Sequence, residues 1–125
     1  MPQLKSGVVI AGAALALGAA LVLAQDPIKI GGNIYKPVFD NERVRVLEVN
    51  FRPGESVGMH SHPDQVAYVL NAGTLSLTGA DGKVNSLRLR KGHVVLLPAQ
   101  SESAQNTGKT TIRLALVELK EAMKK

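Results

Sequence analysis

The chain contains no cysteine. That excludes disulfides, thiolate metal sites, a cysteine nucleophile and a lipidated cysteine anchor. Tryptophan is absent too, and only two Phe and two Tyr are present. A core must therefore come from Val, Leu, Ile and Ala, and there is no aromatic platform on which nucleic-acid bases could stack. The formal net charge is +5, but the Lys and Arg residues are scattered rather than massed on one face, so they read as a solvated basic surface. No low-complexity tract and no second linker interrupt the 125 residues, which suffice for one domain.

What is present begins with a short basic start. Lys5 is followed by an uncharged run over 7–24, rich in Ala, Leu and Val, and then by Gln25, Asp26 and Pro27. A basic start, an apolar middle and small residues before a polar break describe a secretory signal peptide, with cleavage expected after Ala24. The run also reaches the lower edge for spanning a bilayer, so an uncleaved membrane anchor is the competing reading. Either way, the positive charge stays inside and the rest of the chain is expected outside the cytoplasm, periplasmic or secreted.

From Asp26 onward, short apolar runs alternate with turn residues at intervals of about 8–12 positions, the pattern of an all-β sandwich or barrel. Strands are expected over 35–40, 43–51, 57–60, 65–70, 74–78, 84–89, 94–97, 101–106 and 111–119. Turn chemistry separates them at Asn41-Glu42, Pro53-Gly54, Asn71-Ala72-Gly73, Asp81-Gly82, Lys91-Gly92 and Thr107-Gly108. Leu87, Leu89, Ile112, Leu114 and Leu116 should face inward, and the Arg residues between them outward. The organisation is thus a signal over 1–24, a linker over 25–34, a barrel over 35–119, and a polar tail over 120–125 of about one helical turn.

Two of the three histidines, His60 and His62, lie one residue apart at the end of a strand. Alternate strand residues share a face, so both rings can meet one cation. The surrounding pattern is Gly54, five residues, His60-x-His62, Tyr68-Val69-Leu70 and Gly73. About twenty residues on come Gly92, five residues, Pro98 and then Asn106-Thr107-Gly108. Together these resemble the two conserved motifs of the cupin superfamily, over nearly all of 35–119. The resemblance implies a small antiparallel jelly-roll barrel with one polar pocket in its mouth.

It also implies a metal site of two His and a Glu from the first motif and a His from the second. His60 and His62 match. The Glu position falls on Gln65 counting back from Tyr68, or on Val66 counting forward from His62; the strand register favours Gln65. The second-motif His position falls on Glu102, with Ser103 as its neighbour. The expected set is His60, His62, Gln65 and Glu102. Either the site is rebuilt, with its carboxylate moved to another strand, or it has decayed and Gln65 and Glu102 merely hydrogen-bond the rings. A rebuilt site of two imidazoles and one carboxylate suits divalent iron, manganese, zinc or nickel.

Other residues are expected outside the chemistry: His93 exposed, Met59 filling a gap, Tyr68 at the rim, and Gln105 turned away from Glu102. No Asp-His chain accompanies the serines, so serine-hydrolase chemistry is not expected. The function expected is an extracytoplasmic cupin that binds one metal and binds or acts on a small polar molecule. The alternative is a metal-free ligand-binding cupin. No nucleic-acid partner is expected, nor a membrane after cleavage. A homodimer through the N-terminal strands is expected from the family and from their few apolar partners within so small a barrel.

Overall fold

A computed structural model describes residues 25–123. The expected signal segment and the last two lysines lie outside the described residues. One helical turn, α1 (Pro27–Ile30), precedes nine antiparallel strands. These are β1 (Tyr35–Asp40), β2 (Val44–Phe51), β3 (Ser56–His62), β4 (Gln65–Asn71), β5 (Gly73–Gly79), β6 (Val84–Leu89), β7 (Val94–Leu97), β8 (Gln100–Asn106) and β9 (Ile112–Leu119). They form two facing sheets, ordered β1-β2-β9-β4-β7 and β3-β8-β5-β6. The chain changes sheet between β2 and β3, β3 and β4, β4 and β5, β6 and β7, β7 and β8, and β8 and β9, which makes a jelly roll.

Period-two alternation decides which side chains meet between the sheets. Leu47, Val49 and Phe51 of β2, Ala67 and Val69 of β4, and Ile112, Leu114 and Leu116 of β9 are buried from one side. Val57, Leu75, Leu77, Leu89 and Ala104 are buried from the other. Each large apolar side chain so buried contributes roughly 1.5–3 kcal/mol. Leu87 is half-buried, and Arg88, Arg90 and Arg113 are exposed.

The turns form where the sequence places them. Gly54, Gly82 and Gly92 have φ of 82°, 86° and 85°, the left-handed region that a residue without Cβ enters freely. Asn106 closes one end of the barrel. Its Nδ2 donates to the carbonyls of Phe51 and Thr110, both at 2.8 Å, and its Oδ1 accepts from the Gly108 amide at 2.9 Å.

The stretch read as a linker is ordered. The Asp26 side chain caps α1 by accepting from the Ile28 amide at 2.9 Å, with Pro27 in the first turn, where its missing N–H is harmless. The Gln25 carbonyl accepts from the Ser61 amide at 2.7 Å, and Ile34 is buried. Residues 25–34 thus form a strap across β3. At the other end, residues 120–123 bend without forming the expected helical turn. The Met123 amide there donates to Asp64 Oδ2 at 2.9 Å, next to the Asp64 carbonyl that accepts from the Leu119 amide at 2.8 Å.

Replacing Asn106 by Ala leaves the Phe51 and Thr110 carbonyls and the Gly108 amide without their partner. The expected loss is about 2–3 kcal/mol, read as a fall in melting temperature of roughly 10–20 °C.

Candidate metal centre

The site lies between the sheets at the barrel end where β3, β4 and β8 meet. His60 and His62 are both buried on β3. Their ring centroids are 4.8 Å apart and the rings stand nearly perpendicular, at 86°. A register irregularity between Val57 and His60 turns the strand locally. Beyond it His60 faces Glu102 of β8 directly across the ladder. One donor atom from each of His60, His62 and Glu102 lies within 4.8 Å of the others. Gln65 enters from β4 in the opposite sheet and is buried. Its Oε1 has no hydrogen-bond partner among the described residues. A cavity of about 40 Å³ adjoins the cluster, with Tyr35, His62, Gln65 and Glu102 on its polar side and Phe51 and aliphatic side chains beyond. That volume holds one to three water-sized groups.

The hydrogen bonds around the rings decide which nitrogens remain available. His60 Nδ1 lies 2.8 Å from the Gly58 carbonyl, and His62 Nδ1 lies 2.8 Å from Glu118 Oε2. A carbonyl and a carboxylate only accept, so each Nδ1 is the donor, and in the neutral ring Nε2 is the atom that keeps its lone pair. The Tyr35 hydroxyl stands 3.4 Å from His60 Nε2. Glu102 Oε1 accepts from the Gln100 amide, and its second oxygen remains available.

Burial, together with the negative charges of Glu102 and Glu118, pushes the Tyr35 hydroxyl well above its ordinary range, so it stays protonated. Burial also pulls His60 below its ordinary value; the nearby His62 adds to this and the Gly58 hydrogen bond opposes it. Burial raises Glu102, against the Gln100 hydrogen bond and the His62 ring. Burial thus favours the neutral form of the His60 ring, the form that metal ligation requires. Glu118 is the opposite case. Burial would raise it, but hydrogen bonds from His62 and Arg45 outweigh burial and hold it below the ordinary carboxylate range.

All four expected residues are buried at this one place. Val66 and Ser103, the alternatives by counting, are only half-buried and alternate away from it. His93 and Gln105 are exposed, Met59 is half-buried, and Tyr68 is 46% exposed. Sequence reading missed Tyr35, Glu118 and Arg45. Glu118 continues the inward series Ile112, Leu114, Leu116, and Arg45 begins the series Leu47, Val49, Phe51; both polar residues therefore sit where alternation demands an inward side chain. That was the available signal.

The donor set fits a divalent cation: two neutral imidazole nitrogens, a carboxylate oxygen, and a buried amide oxygen with nothing else to bind. An orphaned buried acceptor destabilises a fold by about 1–3 kcal/mol. In the metal-free protein, Gln65→Leu should therefore raise the melting temperature. A lower melting temperature in calorimetry would show that Gln65 is structurally satisfied.

No protein-family model and no curated protein matches the chain. Solved structures do. A cupin domain from Bordetella pertussis is 30% identical, over 70% of this chain and 93% of that one, with a TM-score of 0.65. A double-stranded β-helix protein from Klebsiella pneumoniae is 22% identical over 72% of this chain and 79% of that one, with a TM-score of 0.55. A cupin family protein with the same fold from Methanocaldococcus jannaschii is 18% identical over 69% and 78%, also with a TM-score of 0.55. The similarity to the Bordetella domain, over nearly all of that domain's length, together with the shared jelly roll, makes this chain a member of the cupin superfamily.

Proposed function

We propose that this cupin holds one divalent metal ion through His60 Nε2, His62 Nε2 and Glu102, with the amide oxygen of Gln65 as a weaker fourth donor. The observation that carries this reading is the convergence of three donor groups within 4.8 Å, the two rings having their other nitrogens already engaged. The ion, iron, manganese, zinc or nickel, supplies a Lewis acid to a small polar molecule bound at the barrel mouth. Around it the chain's own residues orient and exclude. Gly58 and Glu118 fix the two tautomers, Gln100 holds one carboxylate oxygen, and the aliphatic walls keep bulk water out. The N-terminal pattern supports an extracytoplasmic location.

A second, metal-free reading rests on two observations. Gln65 is a neutral and weak ligand, and Glu102 already accepts a hydrogen bond from Gln100. In that reading the pocket captures a small molecule without turnover. Elemental analysis of untagged protein separates the two. About one ion per chain, lost in His60→Ala and Glu102→Ala, is expected. A site still empty after incubation with each of the four metals would remove the metal reading.

The homodimer belongs to the same proposal. Phe39, Val46, Val117, Val66 and Leu96 are register partners in one row across all five strands of the larger sheet, on its outer face. Val94, Tyr68 and Ala115 extend the apolar patch into the adjacent row, which ends in Glu48 and Lys36 on β2 and β1. Phe39, Leu96 and Val94 are each more than half exposed. The outer face of the smaller sheet is different: Ser56, Gln105, Ser76 and Ser86 form its corresponding row. An antiparallel sheet normally shows polar residues to water, as the smaller sheet does. The apolar face offers on the order of 500 Å². Two copies face to face would bury on the order of 1,000 Å², enough for a specific interface. Phe39 lies in the N-terminal strand from which dimerisation is expected. Light scattering should give twice the chain mass at micromolar concentration, and Leu96→Glu should give the monomer with unchanged circular dichroism. A monomeric wild-type protein would contradict this.

A further inference from the structure

A line of polar contacts runs from His62 to the surface and ends in the strap. His62 Nδ1 donates to Glu118 Oε2 at 2.8 Å. Arg45 donates to Glu118 Oε1 at 2.7 Å. The same guanidinium reaches Asp26 Oδ2 at 3.0 Å. Asp26 in turn caps α1. Strand register explains why these groups meet: Arg45, Glu118 and Gln65 are consecutive cross-strand partners on β2, β9 and β4. Glu118 is therefore held from both sides, by a buried imidazole and by a guanidinium. The strap itself is tied to the histidine strand, since the Ser61 amide between the two histidines donates to the Gln25 carbonyl at 2.7 Å.

Resting on the metal reading above, we propose that Glu118, Arg45 and Asp26 are positioning residues for His62, and that the strap over 25–34 is part of the site rather than a linker to it. A carboxylate that accepts from Nδ1–H fixes which nitrogen faces the cation and at what angle. Glu118 can do this only while its own orientation is fixed. Arg45 provides that with two ends: one on Glu118 and one on Asp26, whose side chain is about one-third exposed at 36%. Take away the outer end and the guanidinium is free to change rotamer, Glu118 loses its second anchor, and the His62 ring gains a competing orientation. Remote loss at the surface then reaches a buried ligand through three side chains.

Two variants test this. Asp26→Ser keeps a hydroxyl that caps the helical turn but removes the charge that holds Arg45; Glu118→Gln removes the charge next to His62. Correlation of ring nitrogens with carbon-bound protons by NMR, on metal-free protein, reports the His62 tautomer directly. The wild type should show the Nδ1-protonated form alone. In both variants the second tautomer should appear. The zinc dissociation constant should rise roughly 10–100-fold in Glu118→Gln, and by a smaller factor, roughly 3–10-fold, in Asp26→Ser. Melting temperature of the metal-free Asp26→Ser protein should stay close to wild type, separating positioning from a merely structural strap. Unchanged tautomer and unchanged zinc affinity in Asp26→Ser would overturn the inference. A wild-type protein that takes up no zinc or other divalent metal would sink the metal reading by itself. The tautomer measurement, which needs no metal, still decides whether Asp26 positions His62.

Discussion

Placing two imidazoles and a carboxyl group against one another inside an aliphatic barrel is the constraint on which the rest of this structure depends. Each is a polar group removed from water, and each needs its hydrogen-bonding capacity met. The chain meets half of it with fixed partners: the Gly58 carbonyl for His60, Glu118 for His62 and Gln100 for Glu102. The other half, two ring nitrogens and an oxygen, points to a common place, where the Tyr35 hydroxyl stands 3.4 Å from His60 Nε2. A fourth acceptor, Gln65 Oε1, has no hydrogen-bond partner among the described residues. Electron-pair donors gathered in this way repel one another unless something positive stands among them.

The fold delivers these groups by ordinary strand geometry. A two-residue period brings His60 and His62 to the same side of β3, and antiparallel register sets Glu102 opposite His60. Gln65 comes from the facing sheet, so the cluster is assembled across the barrel and not along one strand. Beneath it the core is aliphatic and close-packed, leaving a cavity of about 40 Å³. Such a space suits a molecule of a few atoms, or one end of a larger molecule entering from the mouth.

Much of this was legible in the sequence, and for identifiable reasons. Alternating Leu and Ile in β6 and β9, and glycines where positive φ was needed, located the strands and turns closely. The doublet of histidines located β3 and its inward face. Counting along the cupin-like motifs picked Gln65 and Glu102 over Val66 and Ser103, and burial follows the same choice. For the layer of support behind the rings, alternation marks Glu118 and Arg45 as inward but does not say that they meet. Glu118 and Arg45 are far apart in sequence, and only the pairing of β2 with β9 brings them together. The strap carries no strand pattern of its own, and its order comes from tertiary hydrogen bonds. For Tyr35, nothing local marks a tyrosine at a strand start as facing a histidine from another sheet.

The central claim is that both imidazoles and the carboxylate bind one ion together. X-ray absorption at the edge of the bound metal tests it most directly. The account predicts two imidazole ligands, recognisable by their outer-shell scattering, with the remaining ligands oxygen, at about 2.0–2.2 Å. A first shell of oxygen alone, with no imidazole signature, would contradict it.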